Sequence, residues 1–259
     1  MNRVYITGDL HREIRFIEEF IHFKYDTHGF DHSDTMILLG DSGLNYFLDE
    51  RDAALKAQLA TCPITFFVIR GNHEERAEKL AKKYPDKWHK EVYFDNFVWV
   101  ENNFPNIKYA MDFPTSYEIK GMKTLVYPGA YSIDKEYRLM RGWKWFKEEQ
   151  LTESEKKTGL FMAGSYKNSA DLILSHTAPR EFEPKDLFLD FIDQSKVDKS
   201  MEDYLQIIHE NVNYKLWCWG HYHADRLYPP YEGGKSQAMF FHVIRDLEDF
   251  MKNLEKIKW

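Results

Sequence analysis

Five apolar runs in this chain each stop at a short polar cluster, and no other feature constrains its fold as tightly. Val4-Tyr5-Ile6-Thr7 leads into Gly8-Asp9-Leu10-His11, and Met36-Ile37-Leu38-Leu39 into Gly40-Asp41. Phe66-Phe67-Val68-Ile69 precedes Gly71-Asn72-His73-Glu74, and Asp171-Leu172-Ile173-Leu174 precedes Ser175-His176-Thr177. The last run, Leu216-Trp217-Cys218-Trp219, leads into Gly220-His221-Tyr222-His223. Short continuous apolar runs of this kind are expected of strands buried on both faces. A strand delivers its final residues to one edge of a sheet. Five strand ends can therefore gather Asp, His and Asn side chains at one point, as a two-metal site requires.

The segments between the first three runs read as helices: apolar residues recur at helical spacing from Glu13 to Ile21, Asp49 to Ala60 and Glu75 to Lys83. Pro63 stops the second of these, and Tyr84-Pro85 the third. Alternation of strand and helix predicts a parallel sheet. From Glu91 the texture becomes antiparallel, with short aromatic strands (Val98-Trp99-Val100, 116–119 and 123–127) and turns such as Lys120-Gly121. Further helices are expected over Trp145 to Lys157 and Met201 to Glu210, then a strand over Met239 to Ile244. An amphipathic helix through Leu247, Phe250, Leu254 and Ile257 is expected to close the chain. With no Pro/Gly/Ser linker and no internal repeat, residues 1–259 are expected to form a single domain of α/β class.

A hydrophobic share of 43% is enough for a sizeable core, and a net charge of −7 argues against non-specific nucleic-acid binding. A locally basic groove stays open, since candidate metal ligands inflate the negative count. Cys62 and Cys218 cannot build a disulfide framework, and Cys218, inside an apolar run, is expected to be a buried free thiol. The opening residues lack a leader-like pattern, and no apolar stretch reaches the ~18 residues of a membrane span. A soluble, cytoplasmic protein without a membrane partner is therefore expected.

Each polar cluster alone is weak. Asp-x-His on a loop is ordinarily a polar turn, and His73 alone reads as a surface histidine. His-x-His after a strand is more specific, since both rings can address one ion. Five clusters in one order, with glycine at four of the five junctions, are hard to produce by chance; the glycines permit sharp turns and crowding.

In that order the residues resemble the calcineurin-like metallophosphoesterases, whose pattern is Asp-x-His, Gly-Asp, Gly-Asn-His-Asp/Glu, His and Gly-His-x-His. All five elements are present, spanning residues 9 to 223. The block from Gly129 to Asp134, with Arg138 after it, further resembles a bacterial and phage branch of the superfamily. The resemblance implies a four-layer α-β-β-α sandwich of two mixed β-sheets flanked by helices. It implies that Asp9, His11 and His223 hold one divalent ion, that Asn72, His176 and His221 hold another, and that Asp41 bridges them. Mixed O/N ligation suits Mn²⁺ first, with Fe or Zn²⁺ open. Two ions ~3.5–4 Å apart would share a water and lower its pKa for attack on a phosphoester, monoester or diester. His73, as the catalytic non-ligand, would assist the leaving oxygen.

Several assignments stay double. Arg70 is a candidate catalytic and phosphate-binding guanidinium, or a surface-paired arginine at a strand end. Asn72 is a candidate substrate contact as well as a ligand. Asp134 could orient His73 or cap a helix beginning at Lys135, and Arg138 could clamp substrate or serve as an ion-pair partner. Trp143-Lys144-Trp145-Phe146 could wall a ring pocket or belong to the core. Tyr222 is expected to pack away from the metals, His242 in the core, His209 on a helix surface, and Lys147 to Lys157 on a solvated helix face.

The chain departs from the phosphoprotein phosphatases of that superfamily. Their Gly-Asp-x-Val-Asp-Arg-Gly is here Gly40-Asp41-Ser42-Gly43-Leu44-Asn45-Tyr46, and Arg12 stands where glycine is usual. These departures count against the protein-phosphatase reading, and the acidic net charge favours a small phosphorylated or nucleotide-like substrate. A protein phosphatase, a nuclease acting on a strand end and a non-catalytic scaffold are the competing readings.

Overall fold

A computed structural model describes residues 2–166, 170–231 and 234–256. Its first elements alternate: β1 (Val4–Thr7), α1 (Arg15–His28), β2 (Thr35–Leu38), α2 (Glu50–Ala60), β3 (Thr65–Val68) and α3 (Ala77–Lys83). A strand-rich stretch comes next, comprising β4 (Trp88–Tyr93), β5 (Asn96–Glu101), β6 (Ile107–Tyr109), β7 (Thr115–Ile119) and β8 (Met122–Tyr127). Then come α4 (Lys135–Arg141), α5 (Glu153–Ser165), β9 (Leu172–Ser175), α6 (Ser200–Asn211) and β10 (Leu216–Trp219). The last elements are β11 (Arg226–Tyr231), β12 (Lys235–Met239), β13 (Arg245–Asp246) and α7 (Leu247–Asn253). Among the described residues no helix is long and apolar enough to cross a membrane. Ile257, expected in the last helix, lies outside the described residues.

Two mixed sheets result, ordered β13-β1-β2-β3-β6-β5-β4 and β11-β12-β10-β9-β8-β7. The strands β1, β2 and β3 run parallel, as do β8, β9, β10 and β12. The apolar runs have a physical reason: both faces of the central strands are covered. Ile6, Ile37, Phe67, Leu174 and Cys218 pack between the sheets. Their chain neighbours Tyr5, Met36 and Phe66 meet α1, α2 and α3, whereas Ile173 and Trp217 meet α5 and α6. Each such side chain contributes about 1.5–3 kcal/mol by leaving water. The expected α-β-β-α layering is observed, and both cysteines are buried free thiols. The hairpins β4–β5 and β7–β8 turn through Phe94-Asp95 and Lys120-Gly121, all four at positive φ, the geometry that matches strand twist.

Several expectations move. The helix placed over Trp145 to Lys157 begins at Glu153, because Thr152 and Glu155 form a capping box. The preceding residues are held in a turn by buried arginines. Arg76 donates to the Glu148 and Gln150 carbonyls, and Arg70 to that of Glu149. Lys147, Glu148, Glu153 and Lys157 are exposed as expected of a solvated face, whereas Glu149 and Lys156 are buried. The strand placed over Met239 to Ile244 ends at Met239, since the chain then crosses from one sheet to the other. There the Gly8 N–H donates to the Phe241 carbonyl at 3.0 Å. On that crossing His242 is half-buried and stacked on Phe16 and Phe241. His209 is on the buried face of α6, its Nδ1 2.6 Å from the Tyr214 hydroxyl, rather than exposed.

Candidate metal centre

The parallel strands β1, β2, β3, β9 and β10 point their carboxyl ends at one crevice, the usual ligand position in α/β sheets. Asp9 and His11 follow β1, Asp41 follows β2, Asn72 and His73 follow β3, His176 follows β9, and His221 and His223 follow β10. Two junction glycines are needed for space rather than turning. A Cβ on Gly71 would lie 2.0 Å from Asp41 Oδ1, and one on Gly220 would lie 2.1 Å from Asp9 Oδ1. Meanwhile His11, Asp41, His221 and His223 themselves take positive φ (45°, 46°, 70° and 52°). Non-glycine residues rarely adopt it, at a cost of about 1–3 kcal/mol each, and such strain collects at functional sites.

The side chains form two adjoining groups. In one, His11 Nε2 lies 2.7 Å from His223 Nε2, and Asp9 Oδ2 is 3.8 and 3.5 Å from these nitrogens. In the other, His176 Nε2 lies 2.9 Å from Asn72 Oδ1 and 3.5 Å from Asp41 Oδ1, with the His221 ring 5.0 Å from that of His176. Asp41 sits between the groups, its donor oxygen gathered with His11 on one side and with His176 and Asp9 on the other. Backbone N–H groups fix both carboxylates: that of His221 donates to Asp9 and that of His73 to Asp41. His176 Nδ1 faces the Leu39 carbonyl at 2.7 Å, which turns Nε2 toward the cluster.

The donor chemistry fits divalent cations. Asp9 and Asp41 are wholly buried, and among the described residues neither pairs with a lysine or arginine. Burial pushes the Asp9 carboxyl up to about 7, against the pull of His176. Burial also acts on Asp41, but His73 and His176 outweigh it and hold that carboxyl well below its usual range. His176 is carried up to about 9, since Asp41 and Asp9 outweigh its burial. Burial lowers His11 to about 4 and depresses His221 and His223 as well, leaving three neutral imidazoles with lone pairs to offer. Asp41 and the three neutral imidazoles are donors that divalent ions select, and a bound cation would displace the protons that Asp9 and His176 hold in its absence.

His73 occupies the edge of the cluster. Its Nδ1 lies 3.3 Å from Asp41 Oδ2 and 3.1 Å from an Arg138 Nη2, and its Nε2 lies 3.8 Å from Asp134 Oδ1. Asp134 occupies the N-cap position of α4 without capping it by its side chain. Both its oxygens accept from Arg138 Nε at 2.8 Å. Arg138 also donates to the Tyr46 hydroxyl at 3.1 Å and is buried, so its guanidinium braces His73 instead of reaching into solvent.

Arg70 requires correction. It is buried, with Nε 3.2 Å from Asp112 and Nη1 donating to the Gly71 and Glu149 carbonyls, so it holds the turn behind the site and does not face the crevice. Asn72 lines the crevice beside Asp41 and His73. Its Nδ2 donates to Ser132 Oγ, and Oδ1, the atom a metal would use, faces the cluster. Leu44 and Asn45 are buried, and Arg12 ties its loop to Gly43, Arg51 and Asp52. Trp143 is exposed while Phe146 is core; the Tyr222 ring lies edge-on to that of His221 at 5.0 Å, with its hydroxyl 3.1 Å from Thr177 Oγ1.

Residues not singled out in the sequence complete the site. Ser132 receives the Asn72 amide and donates to Glu149 Oε2 at 2.6 Å. Glu74 accepts from Ser42 Oγ and from the Gly43 and Gly71 N–H groups, tying two ligand loops together. Ser132→Ala is expected to lower the affinity for one of two ions by roughly 10–100-fold, as loss of such outer partners does. Metal titration followed by calorimetry checks this, and two unchanged affinities would remove Ser132 from the site.

The model of the family described as calcineurin-like phosphoesterase matches residues 2–225. No curated protein gives a significant match. Among solved structures, a phosphopantetheinyl hydrolase from Mycobacterium tuberculosis is 12% identical, with 93% of this chain and 90% of that chain covered and a TM-score of 0.50. An archaeal phosphodiesterase is also 12% identical, with 95% and 94% covered and a TM-score of 0.39. At 12% identity the hydrolase supports the fold alone. The family match, spanning all five ligand clusters, carries the assignment: the chain belongs to the calcineurin-like phosphoesterase family.

Proposed function

We propose that this protein hydrolyses a small phosphoester at a two-metal centre held by Asp9, His11, Asp41, Asn72, His176, His221 and His223. The observation that carries the reading is the pair of ligand groups sharing Asp41 at the ends of five strands. These ligands come from both sheets, which supports reading residues 1–259 as one domain. Mn²⁺ suits the mixed donors, with Fe and Zn²⁺ as substitutes. When bound, two such cations acidify a water and withdraw charge from the phosphoryl oxygens.

The protein's own groups supply the rest. Asp41 and Asp9 hold the cations and are fixed by backbone N–H groups. His73, raised above its ordinary value because Asp41 and Asp134 outweigh its burial, stands at the crevice edge as the group that would donate a proton to the departing oxygen. Asp134 and Arg138 position the ring, and bound cations would offset the Asp41 charge, leaving Asp134 as the principal raising group. The acid form exists below the His73 pKa, so turnover falls as pH rises through it. Asp134→Asn removes a raising charge and is expected to move that fall to lower pH. A pH–kcat profile is the check, and an unmoved alkaline limb would reduce Asp134 to a structural partner of Arg138.

Burial of Leu44 and Asn45, where phosphoprotein phosphatases place functional residues, supports a small substrate over a phosphoprotein. The test is turnover of 4-nitrophenyl phosphate, bis(4-nitrophenyl) phosphate, dinucleoside polyphosphates and phosphopeptides by the Mn²⁺-loaded protein. Chelator-sensitive hydrolysis of a small ester is expected. Activity confined to phosphopeptides would contradict the substrate class, and inactivity with both ions bound would contradict the enzyme.

A further inference from the structure

Two short segments flank the crevice, and they carry a large share of the apolar surface that faces water. One comprises Ile133, Tyr137, Leu139, Met140 and Trp143, on and beside α4; the other comprises Leu187, Leu189 and Phe191, in the chain between β9 and α6. Together they hold eight of the seventeen large hydrophobic residues exposed among the described residues, with Met140 74% and Phe191 80% exposed. Ile133, Leu187 and Leu189 line the crevice itself, with His73 and His221, so the two segments are its rims. Large apolar groups gathered at one place on a surface mark a protein, membrane or ligand contact. Charge decides among these. Residues 135–147 hold five cations and one carboxylate in a chain of net charge −7. Among the described residues their one ion pair is Arg138 with Asp134. Lys135 lies 4.4 Å over the Trp145 ring, and Arg141 lies 5.8 Å from the rings of Tyr137 and Trp143. Lys144 and Lys147 are exposed. The other rim adds apolar area but no net positive charge, since Asp190 and Asp193 flank Phe191 and Asp193 pairs with Lys196.

We infer that the crevice mouth is a docking surface for an anionic lipid bilayer, with Met140, Trp143 and Phe191 entering the headgroup boundary and Arg141, Lys144 and Lys147 meeting lipid phosphates. Segments that set cations beside Trp, Phe and Leu settle at that depth, and each basic residue adds attraction to anionic lipid. A single-stranded nucleic acid would use the cations and the two rings of α4 but leave Leu139, Met140, Leu187 and Leu189 without a role. The crevice between the rims is polar, lined also by Asp134, Asp198 and Lys199, so the rims enter the boundary while the ligand cluster stays in water. Absence of a spanning helix bears on crossing a membrane and not on lying against one. The expectation of no membrane partner narrows accordingly to one of no span.

Co-sedimentation of the full chain with sucrose-loaded vesicles is the test, using phosphatidylcholine alone and phosphatidylcholine mixed with phosphatidylglycerol. The mixed vesicles are expected to bind about tenfold more tightly or better, with the difference lost at high salt and in the double variant Lys144→Glu/Lys147→Glu. Met140→Ser and Phe191→Ser should each weaken binding to the mixed vesicles by about tenfold, the effect of one apolar side chain no longer leaving water. Phe23→Ser, at a residue 79% exposed on α1, should bind as the wild type does. All these side chains face solvent, and thermal melts check that each variant is folded. Absence of binding to the mixed vesicles overturns the surface, as does undiminished binding by Met140→Ser or an equal loss in Phe23→Ser. Self-association or capture of a single-stranded oligonucleotide that Met140→Ser abolishes, without vesicle binding, overturns the bilayer as the occupant. Binding is read without turnover, so an inactive metal centre would leave the docking surface standing.

Discussion

Asp41→Asn is expected to abolish phosphoester hydrolysis and to cost the protein cations on both sides of the cluster. Asp41 is the carboxylate gathered with His11 in one direction and with His176 in the other. It is fully buried and held ionised, so an amide of the same shape removes the charge without opening space. The loss should exceed the roughly 10–100-fold in affinity caused by removal of an outer partner. Native mass spectrometry beside a turnover assay reads both effects. Normal activity with two ions retained in Asp41→Asn would end the bridging assignment.

His73→Ala should behave differently, since the ring is assigned to the proton and not to the metals. Metal content is expected to stay, while kcat on alkyl phosphates falls by roughly 10²–10⁴-fold, the usual worth of a positioned acid. The fall should be much smaller on 4-nitrophenyl phosphate, whose leaving group departs without a proton. An equal loss on both substrates would contradict proton donation. A drop in metal content would instead make His73 a ligand, a role its gathering with His11 and Asp41 makes worth testing.

The parts of the site legible in the sequence are those written into contiguous residues. A strand buried on both faces has to be apolar, and the residues after it have to leave the sheet. This is why the five clusters stand out beside Thr7, Leu38, Val68, Ser175 and Trp219. The layered sandwich came through the family resemblance, because alternation alone cannot say how two sheets face each other. The bracing of Asn72 by Ser132 and Glu149 was hidden for a physical reason. Those hydrogen bonds join residues 60 and 17 positions apart, which periodicity does not register. Arg70 shows the same limit: the sequence places it at a strand end, and only packing shows that it turns toward Asp112. The start of α5 was missed although its signal is local, Thr152 and Glu155 lying three residues apart at the head of the helix.

The central claim, a two-cation hydrolytic centre, is tested most directly by measuring turnover as the stripped protein is titrated with Mn²⁺ and the bound ions are counted by native mass spectrometry. Two ions per chain are expected at saturation, with hydrolysis of a small phosphoester that rises with occupancy of the second. Saturation at a single ion, or turnover that persists after both are removed, would contradict it.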